Sequence, residues 1–149
     1  MSRRIAIASD HAAYAMKAEL AGWLREQGHD VLDLGTDSAE KSVDYPDYGY
    51  ALAQAIADKR ADWGVALCGS GIGISIAVNR HPAARCAMVS EPLSARLTRN
   101  HNDANVIALG ARLIGIEMAK ACIVTFLNAE FDGGRHVHRV DKLAQTPRS

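Results

Sequence analysis

The run Cys68-Gly69-Ser70-Gly71-Ile72-Gly73-Ile74-Ser75 puts a thiol at the end of an apolar stretch, with glycine at every second position behind it. Glycine lets the backbone come close to a ligand, and a helix opening there would offer unpaired N–H groups with positive dipole character. Such a loop could cradle an anion. The same N–H groups would favour the thiolate of Cys68, making it usable as a base or nucleophile. A small hydrophobe ending a core strand is the other reading, and the loop alone leaves both open. The loop contains no Gly-Lys-Ser/Thr, and its G-x-G-x-G spacing is not the dinucleotide fingerprint.

Other residues carry chemistry only in company. His101 and Asn102, in HNDAN, could form a site or simply a surface cap with Asp103. Arg135 and Arg139 are four apart, so on a helical turn both guanidinium groups could grip a phosphate, or they could belong to a solvated basic tail. His136 and His138, with His11 or His101, raise a metal-dependent hydrolase as a further reading. Flanking arginines and the lack of a familiar Cys or carboxylate ligand spacing count against it. Cys86 and Cys122 stand in apolar surroundings suited to core filling, and His29 and His81 read as turn or surface residues.

These residues need a scaffold, and the chain alternates apolar runs with helical periodicity. RIAIAS (Arg4 to Ser9), DVLDLG (Asp30 to Gly35), WGVALC (Trp63 to Cys68), RCAMVS (Arg85 to Ser90) and NVIALG (Asn105 to Gly110) read as strands. Helices are predicted over Ala12 to Gln27, Pro46 to Arg60, onward from the glycine loop, over Glu91 to Asn100 and over Ile114 to Ala129. Repeated strand-helix units predict an α/β fold, a parallel sheet with helices on both faces. In such sheets ligands bind beyond the carboxyl ends of the strands, where Asp10, His11, Asp44, Tyr45, Cys68, Gly69, Ser70, Ser90, Glu91 and Arg112 fall. The final stretch from Phe131 onward reads as an arm with a short helix or turn.

One domain over residues 1–149 is the expectation from the length of 149 residues. Lysine plus arginine and aspartate plus glutamate number 17 each, so no net charge draws the chain to nucleic acid or an anionic membrane. No apolar run approaches the roughly 18 residues of a membrane span, and the start lacks a signal-peptide core. Three widely spaced cysteines suit free thiols in a reducing compartment, which points to the cytoplasm.

Taken together and in order, SDHAAY, DYPDY, CGSGIGIS, SEPLSARLTRNHNDANVIALGAR and GGRHVHRV resemble the type B ribose-5-phosphate isomerases, in the family that also holds galactose-6-phosphate isomerase subunits. The resemblance spans almost the whole chain. It implies a Rossmann-like three-layer αβα sandwich with a five-stranded parallel sheet and a C-terminal arm. It also implies a homodimer or homotetramer whose sites are shared between subunits.

By the same resemblance the substrate is a small sugar phosphate, and neither a metal nor an organic cofactor is needed. Cys68 matches the base that moves a proton between C2 and C1 through a cis-enediolate, and Ser70 a residue that relays protons between O1 and O2. The N–H groups of Gly69, Gly71 and Gly73 would face the enediolate oxygens. His101 matches the histidine that opens the sugar ring, with Asn102, Asp10 and Tyr45 holding sugar oxygens. His11, Arg112, Arg135, Arg139 and His136 would meet the phosphate. A subgroup with a glutamate base has it where this chain has Ile74. Ribose 5-phosphate is the expected substrate, with allose 6-phosphate, galactose 6-phosphate and erythrulose 4-phosphate as alternatives of the same mechanism. A flavodoxin-like nucleotide- or flavin-binding module without catalysis is the competing class.

Overall fold

The computed structural model describes residues 2–145. Five strands, β1 (Arg4–Ser9), β2 (Asp30–Asp33), β3 (Trp63–Cys68), β4 (Cys86–Met88) and β5 (Val106–Gly110), form one parallel sheet in the order β2-β1-β3-β5-β4. They alternate with α1 (Tyr14–Glu26), α2 (Tyr45–Ala57), α3 (Ile72–Val78), α4 (Pro92–Asn102) and α5 (Ile116–Asn128). A 3-10 turn at Gly134–His136 and α6 (Val137–Leu143) end the described chain. The expected α/β sandwich is therefore present, with an arm of one turn and one short helix. Among the described residues no helix is long and apolar enough to cross a membrane.

The two faces of the sheet differ in side-chain size, and this sets how closely the helices lie. Because strand residues point alternately up and down, Ile5, Ile7, Val65, Leu67, Ile107 and Leu109 share one face, where they pack with Leu20, Leu24, Ile123 and Phe126 of α1 and α5. The opposite face carries Ala6, Ala8, Ala66, Cys68 and Ala108 against Leu52 and Ile56 of α2 and Ile74 and Val78 of α3. Small residues bring α2 and α3 close to the sheet. A Cβ on Gly64 would sit 2.7 Å from a Leu52 methyl, and one on Gly49 2.8 Å from the Ala77 Cβ. Ile74, fully buried in that layer, has a core role.

The edge strands are shorter than the apolar runs suggested. Asp30–Asp33 and Cys86–Met88 each have a single neighbour in the sheet. Beyond β2 the chain still follows β1: Leu34 N–H donates to Ile7 O, Ser9 N–H to Gly35 O and Thr36 N–H to Ser9 O, at 2.8 to 2.9 Å. The Gly35–Thr36 peptide within this stretch is cis.

Candidate active site

The order of the strands reverses between β1 and β3, and the crevice beyond their carboxyl ends is where a doubly wound sheet binds ligands. An open cleft of about 470 Å³ lies there, lined by Asp10, Tyr45, Cys68, Gly69, Ser70, Ile72, Gly73, Arg112 and Leu113. Cys68 ends β3, on the small-residue face, and is 4% exposed. The Gly71 N–H donates to its Sγ at 3.2 Å. This donor exists because Gly71, the residue before α3, has φ +77°, a left-handed conformation that turns the loop back toward the thiol.

Contacts on either side fix the rest of the loop. The Ile72 N–H donates to Ser70 Oγ at 3.2 Å. The ring of Tyr45, at the start of α2, covers Gly73 so closely that a Cβ there would be 2.6 Å from Tyr45 Cε1. Arg112 follows β5, where its N–H bonds Gly69 O at 2.9 Å and its guanidinium lies over Gly69. Asp10, 7% exposed, accepts the Ala13 N–H on Oδ1 at 3.3 Å and leaves its second oxygen for another partner. His11 uses Nδ1 to accept the Val43 N–H at 3.1 Å, holding the β2–α2 connection.

A partly buried ion pair that sequence reading missed supports this edge. Lys17, 2% exposed, reaches both Asp33 oxygens at 2.7 and 2.8 Å, and Asp33 also accepts the Gly35 N–H at 2.9 Å. The pair fastens α1 to the segment that hydrogen-bonds Ser9, the residue before Asp10. Burial pushes the other thiols up, Cys86 to about 12 and Cys122 to about 11, the Glu91 charge adding to the latter. Neither is a thiolate at neutral pH.

The remaining expected residues gather elsewhere. His101, Asn102, Arg135, His136 and Arg139 line a second cleft of about 400 Å³ with Val140 and Leu143. The two clefts have no lining residue in common. Gly110 pairs with Cys68 at the carboxyl end of the sheet, whereas His101 closes α4 just before β5 begins, at the amino end.

The second cleft is built by a polar clasp. Asp103, with φ 47°, ends α4 and accepts from Arg99 Nη1 at 2.8 Å, and Arg99 also donates to Ala104 O at 2.9 Å. The Arg85 Nε donates to Asp103 O at 2.9 Å. Asn100 Nδ2 donates to Glu130 O at 2.7 Å and Asp132 N–H to Asn100 O at 2.9 Å, tying the C-terminal segment to α4. As a result the His136 ring stacks on His101, with centroids 4.6 Å apart and planes 15° apart. Burial, then the His101 and Arg135 charges, hold the His136 imidazole below its ordinary value, with Asp132 opposing. Arg99 and Asn100 lie inside the SEPLSARLTRNHNDANVIALGAR block and Asp132 directly precedes GGRHVHRV, but nothing in either motif singled out these three residues.

The model of the ribose/galactose isomerase family matches residues 5–143. The chain belongs to that family. It is 43% identical to ribose-5-phosphate isomerase B of Escherichia coli over 141 residues, 95% of this chain and 94% of the relative. It is 42% identical to the D-erythrulose-4-phosphate isomerase of Pectobacterium atrosepticum, over 93% of this chain and 91% of the relative. The crystal structure of a ribose 5-phosphate isomerase from Thermotoga maritima superposes with a TM-score of 0.93 at 48% identity, covering 95% of this chain and 97% of that one. The family resemblance carried by the five ordered motifs is thus confirmed, and with it the fold.

Proposed function

We propose that this ribose/galactose isomerase family member is an aldose-ketose isomerase interconverting ribose 5-phosphate and ribulose 5-phosphate. The observation that carries this reading is the Gly71 N–H on Cys68 Sγ, at the strand-order reversal and beside Asp10 and Tyr45. A thiolate held there removes the C2 proton and returns it to C1 through a cis-enediolate. Backbone N–H groups from Gly69 to Gly73 stabilise the charge that develops on the enediolate oxygens, and Ser70 relays protons between O1 and O2. Asp10, Tyr45 and Asn102 hold the sugar oxygens, His101 opens the ring, and His11, Arg112, Arg135, His136 and Arg139 receive the phosphate.

The separation of the two clefts supports a site completed by a second chain, whose His101 and C-terminal arm meet the Cys68 cleft of the first. The unit is then a homodimer, or a homotetramer of two such pairs, with one domain per chain over residues 1–149. Free thiols and neutral net charge support a cytoplasmic enzyme acting on small molecules and not on nucleic acid. No cofactor or metal enters these steps.

Near-equal identity to the erythrulose 4-phosphate enzyme makes a four-carbon substrate the second reading. Turnover on a panel of four-, five- and six-carbon aldose and ketose phosphates, after chelation and beside Cys68→Ser, tests both. Preference for ribose 5-phosphate supports the first reading and preference for erythrulose 4-phosphate the second. No turnover on any sugar phosphate overturns both.

A further inference from the structure

His101 and His136 of the second cleft and the nearby Asp132 bring their ligand-type atoms within 4.8 Å of one another. Two histidines and a carboxylate are a familiar metal set, but the geometry here favours a different use. A metal must lie in the plane of each imidazole that binds it, and near-parallel stacked rings do not meet at a common ion. Arg135 and Arg139 also line the cleft and oppose a dication. What the arrangement does suit is one positive charge, on one imidazole at a time, stabilised by one carboxylate, because stacked rings cannot both carry charge at low cost.

We infer that Asp132 is a positioning residue for His101, orienting its imidazole and stabilising the imidazolium formed during ring opening. The inference rests on the ring-opening role proposed for His101. In that step the C1–O4 bond of the furanose breaks and the C1 carbonyl forms. One proton leaves the C1 hydroxyl and one is delivered to the ring oxygen, so an imidazole that accepts the first and donates the second ends unchanged. Its charged intermediate state is what a nearby carboxylate favours. Asp132 sits where it can act because its own N–H is bonded to Asn100 O, one residue before His101. Other charges facing the pair are those of Arg135 and Arg139, both unfavourable to an imidazolium and both destined for the phosphate.

The test uses two reactions of the intact enzyme. Conversion of ribose 5-phosphate begins with ring opening, whereas ribulose 5-phosphate cannot close a furanose ring. Exchange of its C1 hydrogens with D₂O, followed by proton NMR, therefore reports proton transfer without ring chemistry. Asp132→Asn should lower kcat on ribose 5-phosphate about ten-fold or more and leave the exchange rate nearly unchanged, with Asp132→Glu recovering much of the loss. Equal losses in the two reactions, or no loss in either, would overturn the inference. His101→Ala is run alongside. If it spares exchange while Asp132→Asn has no effect, the role of Asp132 alone fails; if His101→Ala suppresses both reactions equally, the ring-opening role fails with it.

Discussion

The Gly71 amide points at the Cys68 sulfur from 3.2 Å, and it can do so only because residue 71 is left-handed, with φ +77°. A Cβ at this position would also lie 2.8 Å from the Leu109 carbonyl carbon. Gly71→Ala should therefore destabilise the protein by about 1–3 kcal/mol and displace the donor. Denaturant titration reads the first effect and kcat the second, and a variant with wild-type stability and rate would remove the loop from the proposed chemistry.

Cys68→Ser should abolish nearly all turnover while preserving substrate binding, since an alcohol is a far weaker base than a thiolate. Calorimetric titration with ribose 5-phosphate separates the two effects. Cys86→Ser and Cys122→Ser should keep catalysis, because burial holds both of those thiols protonated.

Arg139→Ala should raise KM for the sugar phosphate, with a smaller fall in kcat, because phosphate binding also positions the sugar. Steady-state kinetics at fixed ionic strength measure the split. An unchanged KM would assign Arg139 to the solvated arm.

Replacing Lys17 by Met leaves Asp33 without its cation and should cost about 2 kcal/mol of stability, less than for a wholly buried pair because Asp33 is partly exposed. Lys17→Met with Asp33→Leu should recover part of the loss in a double-mutant cycle. The single variant should also raise KM, since the pair anchors the segment behind Asp10.

His29 accepts the Arg3 N–H on Nδ1 at 3.1 Å, a bond that protonation of that nitrogen destroys. Burial is the main cause that holds its imidazole below the ordinary 6.5, and nearby positive charge, that of Arg3 included, adds to it. The unfolded chain thus binds the proton more readily, so stability falls as pH drops through about 6.5 toward the lowered folded value. His136 is shifted in the same direction and adds to the same slope. Melting temperatures of His29→Gln should show a shallower acid limb than the parent; an identical limb would exclude His29 as its source.

How far the sequence could be read depended on whether a signal was local. β1 and β3 match their apolar runs end to end, because each run is bounded by polar residues and lies inside the sheet. The Cys68 loop was legible because its glycines are needed for close approach and for one left-handed turn. Lys17 was hidden: a lysine on an amphipathic helix normally faces water, and only the fold shows that Asp33 waits beside it. The distance between His101 and Cys68 was hidden as well. A turn that precedes a strand delivers its residues to the sheet's amino end, and no spacing rule links that end to a loop on the other.

The absence of any residue common to the two clefts has a genetic consequence. In the proposed two-chain arrangement, a chain disabled at Cys68 still supplies an intact His101 and arm, and a chain disabled at Arg139 still supplies an intact thiol loop. Mixed in one dimer, two inactive chains rebuild one complete site and concentrate both lesions in the other. Co-expressed defective alleles would then complement each other, reaching up to about half the wild-type rate per mixed dimer if the paired sites work independently.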